Sequence, residues 1–160
     1  MRRRRALLGA LGGVVAVAAA SGAAAGLTGH TSGSSGPAKL AVSTGYIPQP
    51  LLTDEAAAYV TVTNTGGTDA QLTSVSTPLA ASVTLHTTTG TTMRQVGALT
   101  VPAGGKLVLG TGGDHMMLEN LTHKPSVGEQ ITLLLHFTHA SPATVTVTVP
   151  VRPTTYDPRG

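Results

Sequence analysis

The sequence predicts an all-β domain, an antiparallel sandwich or barrel built of short strands. Charged residues make up only 11% of the 160 residues and aromatic residues 2%. Threonine, valine, alanine and glycine dominate instead, and this mixture favours β-branched strands with glycine and proline turns over helices. Turn signals recur about every eight to twelve residues, a spacing typical of sandwiches and barrels. No amphipathic helical period is visible in the domain.

The first half of the domain contains four predicted strands, each bounded by turn residues. Pro48 and Pro50 end the first strand, because proline cannot donate a hydrogen bond to the ladder. The polar turn Asn64–Asp69 follows the second strand, and Pro78 closes the third. Gly90 lies in a short hairpin turn after the fourth. These strands are Leu40–Ile47, Ala58–Asn64, Ala70–Ser76 and Ser82–Thr87.

The second half continues this pattern and adds a glycine-rich loop. The turn Val101–Gly105 separates two extended segments, and the loop Gly110–Gly113 leads to His115. The last strand alternates strictly between threonine and valine, which predicts one polar and one apolar face. The four extended segments are Met93–Leu99, Lys106–Leu109, Gln130–Phe137 and Thr144–Val151.

Residues 1–26 are predicted to be an export signal or a membrane anchor. Arg2–Arg5 form a positive segment, the apolar run Ala6–Leu27 follows, and no charged residue lies between Arg5 and Lys39. Small residues around position 24 offer cleavage sites, and an uncleaved run of this length could span a bilayer. Both alternatives predict an exported protein, in the periplasm or cell-wall space, with membrane contact only through this segment. The predicted segments beyond it are a flexible linker at 27–38, the folded domain at 39–152 and a tail at 153–160.

Charge and cysteine content exclude several classes of function. Outside Arg2–Arg5 the chain has six basic and seven acidic residues, so no basic surface remains to bind nucleic acid. The chain has no cysteine, which excludes disulfides, zinc knuckles, a lipobox cysteine and a blue-copper centre. There is no Gly-x-Ser-x-Gly elbow and no phosphate-binding glycine loop before a helix. The protein is therefore not expected to be an enzyme.

Two histidines and two methionines form a candidate metal site, consisting of His86, Met93, His115 and Met117. In an extended segment, side chains two positions apart share a face, with Cα atoms roughly 6.5–7 Å apart. His115 and Met117 therefore point the same way, whereas Met116 points to the opposite face. His86 faces outward if its neighbours in the strand face the core, and Met93 lies across the hairpin from it.

Copper(I) is the metal that suits these residues. It is soft and binds thioethers, which have no proton to lose, so methionine binds it without the pH dependence of a thiolate. Neutral imidazole adds affinity at neutral pH, and no carboxylate cluster is present for Mg²⁺ or Ca²⁺. Methionine in a β-protein is commonly a core residue, however. The alternative is therefore a non-metal adhesion or interaction module of the envelope, in which these side chains are dispersed or buried.

The sequence resembles the periplasmic copper chaperone family PCu(A)C. That family has a His…Met…His-x-Met motif with 21 residues between the middle methionine and the second histidine, as between Met93 and His115 here. The segments AAYVTVTNTGG and VPAGGKLVLGTGGDHMML also resemble the family, and the resemblance covers roughly Leu40–Val151. One spacing departs from the pattern. The family usually has ten residues before the middle methionine, whereas six separate His86 from Met93.

The resemblance implies a fold, a cargo and a route for that cargo. The implied fold is a cupredoxin-like antiparallel Greek-key β-sandwich, with Cu(I) held at one end by His86, Met93, His115 and Met117. The implied function is that of an extracytoplasmic metallochaperone that delivers copper for assembly of the CuA site of cytochrome c oxidase. Its protein partner would then be oxidase subunit II or another copper chaperone.

Three further histidines, His123, His136 and His139, lie outside this motif. Strand parity places His136 and His139 on opposite faces if the strand continues between them. They are interpreted as scattered surface residues, and a weak Cu(II) site is the alternative.

Overall fold

The computed structural model describes residues 36–158, and its regular structure is entirely β, which confirms the predicted fold class. No helix in this part of the chain is long and apolar enough to cross a membrane. The predicted signal or anchor and residues 27–35 of the predicted linker lie outside the described residues. The strands are β1 (Leu40–Pro48), β2 (Glu55–Asn64), β3 (Ala70–Ser76), β4 (Ala80–Thr89), β5 (Thr92–Val96), β6 (Leu99–Val101), β7 (Lys106–Val108), β8 (His115–Leu121), β9 (Gln130–Thr138) and β10 (Thr144–Arg152).

The strands follow one hydrogen-bonded path in the order β5-β4-β8-β2-β1-β10-β9-β3-β6, and β7 pairs with β2 beside it. Among the ten strands, the exception to the predicted antiparallel pairing is the parallel pair β1–β10, which sets Ile47 opposite Val151. β1 pairs with β2 first and with β10 at its end. Its register shifts between Ser43 and Tyr46, and Thr44 there has a φ of 45°. Such a bulge bends a strand, and it lets β1 link the two halves of the path.

Alternation along the strands directs aliphatic side chains into a single core. On β8 the side chains of Met116 and Leu118 are fully buried, while their neighbours on either side face the other way. Full burial of a large aliphatic side chain contributes roughly 1.5–3 kcal/mol, so each of these two positions stabilises the fold. β9 shows the same alternation, with four buried residues: Ile131, Leu133, Leu135 and Phe137.

The predicted strand Met93–Leu99 is divided in the structure. It forms β5 and β6, which lie at opposite ends of the hydrogen-bonded path. Gly97 falls between them, and a glycine weakens a strand at the point where it occurs. The prediction of one continuous strand is therefore wrong, because the chain crosses here from β5 at one end of the hydrogen-bonded path to β6 at the other end.

Asn64 anchors the turn between β2 and β3. Its side chain is almost fully buried, and its Oδ1 accepts hydrogen bonds from the backbone N–H groups of Lys39 and Gly66, at 3.1 and 2.9 Å. Its Nδ2 donates to the carbonyls of Thr68 and Val101, at 2.8 and 3.3 Å. All the polar atoms of this amide are thus paired, as a buried amide requires.

Both ends of the described chain pack against the domain. Ala38, at the end of the predicted linker, is fully buried and bridges to Ala140. Tyr156, in the predicted tail, packs edge-on against Tyr46 with ring centroids 5.0 Å apart. The guanidinium of Arg152 lies 5.2 Å from the centroid of the Tyr156 ring. Packing contacts therefore continue beyond residues 39 and 152.

Candidate metal centre

Three neighbouring strands, β5, β4 and β8, carry the four predicted ligands on one face of the sheet. His86 on β4 lies directly opposite His115 on β8 and directly opposite Gln95 on β5. Residues directly opposite each other in antiparallel strands project from the same face. The strand register therefore brings the two histidines side by side.

The imidazole rings of His86 and His115 are stacked, with centroids 5.3 Å apart and planes inclined by 18°. His115 is buried, at 8% exposure, and His86 is half-buried. The Nδ1 atom of His86 is buried and has no hydrogen-bond partner in the described structure. A buried polar atom without a partner costs free energy. An imidazole nitrogen that is free in this way can bind a metal ion.

The other imidazole nitrogens of the pair have polar partners. His115 Nδ1 lies 3.0 Å from the carbonyl oxygen of Gly113. His86 Nε2 lies 2.9 Å from the hydroxyl of Thr84, and that hydroxyl lies 3.2 Å from the carboxylate of Glu119. Both rings are thus held by neighbours, His115 by the loop before it and His86 by its own strand and β8.

The two methionines lie diagonally on opposite sides of His86. Met117 is opposite Thr84, and Met93 is opposite Thr88. Diagonal neighbours on one face are about 7–8 Å apart, which long side chains can bridge. Met93 is 53% exposed, whereas Met117 is half-buried. The two histidines and Met117 thus form a contiguous group, and Met93 lies at its edge beside the hairpin turn.

Met116 lies on the core side of the same strand. It is fully buried and pairs with Leu85 on β4 and Ala58 on β2. The prediction that it points away from the site is confirmed.

The glycine-rich loop before β8 leads the chain directly into His115. The N–H of Gly110 donates to the carbonyl of Asp114 at 2.9 Å, and the N–H of Gly113 donates to the carbonyl of Gly110 at 3.0 Å. Gly112 has a φ of +80°, a conformation that residues with a side chain rarely adopt. The loop therefore needs glycine at this position to close immediately before the buried histidine.

The three remaining histidines of the domain are not brought together. His123 Nε2 lies 2.7 Å from the carboxylate of Glu129, and His136 Nδ1 lies 3.2 Å from the hydroxyl of Thr144. His139 follows the end of β9 with a φ of 61°. Across residues 36–158 no three histidine, aspartate or glutamate side chains are grouped to hold a metal. The alternative of a Cu(II) site here has no support from the described structure.

Sequence reasoning assigned no role to two residues next to the site, Thr84 and Glu119. Thr84 had a signal, because it lies two positions before His86 and so shares its face. Glu119 had a weaker one, two positions after Met117. That the two side chains meet depends on the pairing of β4 with β8, which neither strand shows by itself.

The fold and this geometry define a β-sandwich domain with a histidine pair and thioethers on the face of β5, β4 and β8 that lies opposite the buried Met116. Residues 40–151 match the family described as putative lipoprotein LpqE-like, and the chain belongs to this family. The predicted resemblance to the PCu(A)C family is confirmed by this match together with the solved structures to which the chain is similar.

The similar structures are domains of that type. The apo PCuAC domain of PmoF2 has a TM-score of 0.64 and 21% identity, and the alignment covers 76% of this chain and 95% of that one. The copper-bound PCuAC domain from PmoF2 has a TM-score of 0.64 and 22% identity, over 74% and 96% of the two chains. CuI-DR1885 from Deinococcus radiodurans is 35% identical over 68% of this chain and 74% of that one, with a TM-score of 0.58. No curated protein matches the chain.

Proposed function

We propose that this protein is an extracytoplasmic Cu(I) chaperone in which His86, His115, Met117 and Met93 hold the ion. The observation that carries the proposal is the stacking of His86 on His115 on the sheet face that also bears both methionines. The unpartnered buried Nδ1 of His86 supports it, because a bound cation would satisfy that nitrogen. The alternative of a non-metal module expects these side chains to be dispersed or buried in the core, and the stacking of His86 on His115 on the face opposite Met116 does not favour it.

The available ligand types favour Cu(I) over harder ions. Within residues 36–158 no third histidine or carboxylate joins the pair to make a metal-binding group. On this face the side chains that select the soft Cu(I) ion are the thioethers of Met93 and Met117. Met93 is 53% exposed at the edge of the site, so an acceptor protein could approach the ion from that side.

The related proteins support copper as the cargo. The copper-bound PCuAC domain from PmoF2 and CuI-DR1885 both hold copper, as their names state. The lipoprotein description of the family supports a place outside the cytoplasm. We further propose that the protein acts without catalysing a reaction and delivers copper for the CuA site of cytochrome c oxidase. The acceptor would be oxidase subunit II or another copper chaperone.

An anaerobic Cu(I) titration against a competing chelator tests copper binding. The expected result is one tightly held ion per chain, with weaker binding in Met117→Ala and Met93→Ala. Met116→Leu is the matched control, because it exchanges a neighbouring methionine that faces the core and is expected to bind copper as the unchanged protein does. Unchanged affinity in both Met117→Ala and Met93→Ala would overturn the proposed site.

A transfer experiment tests delivery separately. The copper-loaded protein is mixed with the copper-free CuA domain of oxidase subunit II, and the visible absorption of the CuA centre is followed with time. Growth of that absorption at the expense of the loaded chaperone is expected. Tight copper binding without transfer, even with excess acceptor, would refute this acceptor while leaving the copper site in place.

A further inference from the structure

A chain of hydrogen bonds runs from β8 to the imidazole of His86 on β4. The hydroxyl of Thr84 lies 3.2 Å from Oε1 of Glu119 and 2.9 Å from Nε2 of His86. The hydroxyl of Ser82 donates to the other carboxylate oxygen of Glu119 at 3.1 Å. Glu119 thus accepts hydrogen bonds from two hydroxyl groups of β4, those of Ser82 and Thr84. Of these two, only the hydroxyl of Thr84 also contacts His86.

The chemistry of these groups determines where their protons lie. An ionised carboxylate only accepts hydrogen bonds, and a threonine hydroxyl has a single proton to donate. The hydroxyl of Thr84 therefore donates its hydrogen bond to Glu119. The oxygen of the same hydroxyl accepts a hydrogen bond from Nε2–H of His86. Neutral His86 then has its proton on Nε2 and a free lone pair on Nδ1, the same nitrogen that is buried without a partner.

The second histidine is held in the opposite tautomer. A backbone carbonyl only accepts, so the contact of His115 Nδ1 with Gly113 places the proton of His115 on Nδ1. Its free lone pair is then on Nε2. The two stacked rings therefore present different nitrogens, and two independent neighbours determine which nitrogen each ring presents.

We infer that Thr84 and Glu119 are positioning residues that fix His86 as an Nδ1 ligand, while the carbonyl of Gly113 fixes His115 as an Nε2 ligand. The tautomers of the two histidines are inferred from the hydrogen bonds alone. The effect of these tautomers on metal binding rests on the proposed Cu(I) function. Outer partners of this kind orient a metal-binding imidazole and commonly change metal affinity by about 10–100-fold when they are removed.

Three variants on one face of β4 separate positioning from stability. Thr84→Val keeps the β-branched shape and removes the hydroxyl. Thr84→Ser restores a hydroxyl and is the rescue variant. Ser82→Ala removes the other hydroxyl bound to Glu119 and leaves the contact with His86 intact, so it is the matched control.

The first measurement is made without copper. Nitrogen NMR of the imidazole side chains at roughly pH 8, above the ordinary histidine pKa of about 6.5, shows which nitrogen of His86 carries the proton. The unchanged protein, Thr84→Ser and Ser82→Ala are expected to have it on Nε2, and Thr84→Val to show a mixture of tautomers. A proton on Nδ1 in the unchanged protein, or no change in Thr84→Val, would overturn the inference.

The second measurement is the affinity for Cu(I) by chelator competition in the same four proteins. Thr84→Val is expected to bind about 10-fold more weakly, with Thr84→Ser and Ser82→Ala close to the unchanged protein. Equal affinity in Thr84→Val and the unchanged protein would overturn the positioning role. If the unchanged protein bound no Cu(I) while carrying its His86 proton on Nε2, the proposed function would fail and the tautomer assignment would stand.

Discussion

His86 and His115 stack across β4 and β8 with their ring centroids 5.3 Å apart and their planes 18° from parallel. Each ring is held by a hydrogen bond to a different neighbour. The two rings are thus restrained before any ion arrives, so binding an ion need not order them. Restraint of this kind favours affinity, because less conformational entropy is lost on binding.

The two methionines are expected to contribute unequally to copper affinity. Met117 follows His115 by two positions on the same face, whereas Met93 is 53% exposed at the edge of the site. Met117→Leu should therefore weaken Cu(I) binding more than Met93→Leu, as measured by chelator competition. Met116→Leu serves as the control. A larger loss for Met93→Leu would show that the hairpin, and not β8, supplies the stronger thioether.

Met116 is expected to matter for stability and not for copper. It is fully buried, so Met116→Ala leaves a cavity and should lower the free energy of unfolding by about 2–5 kcal/mol. The exposed Met93→Ala should change it by no more than about 0.5 kcal/mol. Urea unfolding of the copper-free proteins measures both values. Equal stability of the two variants would contradict the assignment of faces on β8.

Gly112 is expected to affect both stability and the site. Its φ is +80° and a Cβ there would meet no atom. Gly112→Ala should therefore lower the free energy of unfolding only by the cost of holding alanine in the left-handed conformation, about 1–2 kcal/mol. Gly104 has a φ of +66° and equally open surroundings, which makes Gly104→Ala the matched control. Both variants should lose similar stability in urea unfolding. Only Gly112→Ala should lower Cu(I) affinity, because its loop leads into His115, and an equal loss in Gly104→Ala would contradict this.

Asn64 is expected to stabilise the fold through its buried amide. Asn64→Ala leaves the N–H groups of Lys39 and Gly66 without their acceptor, and loss of the buried bond to Gly66 alone costs about 1–3 kcal/mol. The exposed Gln71→Ala on β3 is the control and should stay within about 0.5 kcal/mol of the unchanged protein. Thermal unfolding compares them. Similar melting temperatures for the two variants would contradict the anchoring role.

Glu129 is expected to make a small contribution to stability that disappears in acid. Hydrogen bonds from the Ser126 backbone and from the His123 side chain hold the pKa of Glu129 below its ordinary value of 4.5. As the pH falls, the unfolded state therefore takes up this proton first. The contribution is present above the unfolded pKa and is lost as the pH falls through the folded pKa. Glu129→Gln should lower the melting temperature at roughly pH 6, and its difference from the unchanged protein should shrink as the pH falls below 4.5. A difference that grows in acid would contradict this.

Most strands were predictable because their evidence is local. The alternation of apolar and polar residues located Ala70–Ser76 at its observed bounds and Gln130–Phe137 within one residue of them. The same alternation separated the face of Met116 from that of Met117. It did not detect the division of Met93–Leu99, because which strands the two pieces join depends on distant parts of the chain.

The candidate site likewise has one part that the sequence predicts and one part that only the tertiary structure determines. Residue types and spacing singled out two histidines and two methionines, and the period of two residues determined which side chains share a face. That much is a property of each strand alone. The partners across the strands come from the tertiary structure. It sets His86 opposite His115, places Met93 opposite Thr88 and brings Thr84 to Glu119. Register and strand order depend on how apolar faces from distant parts of the chain pack into one core, and no short stretch of sequence contains that information.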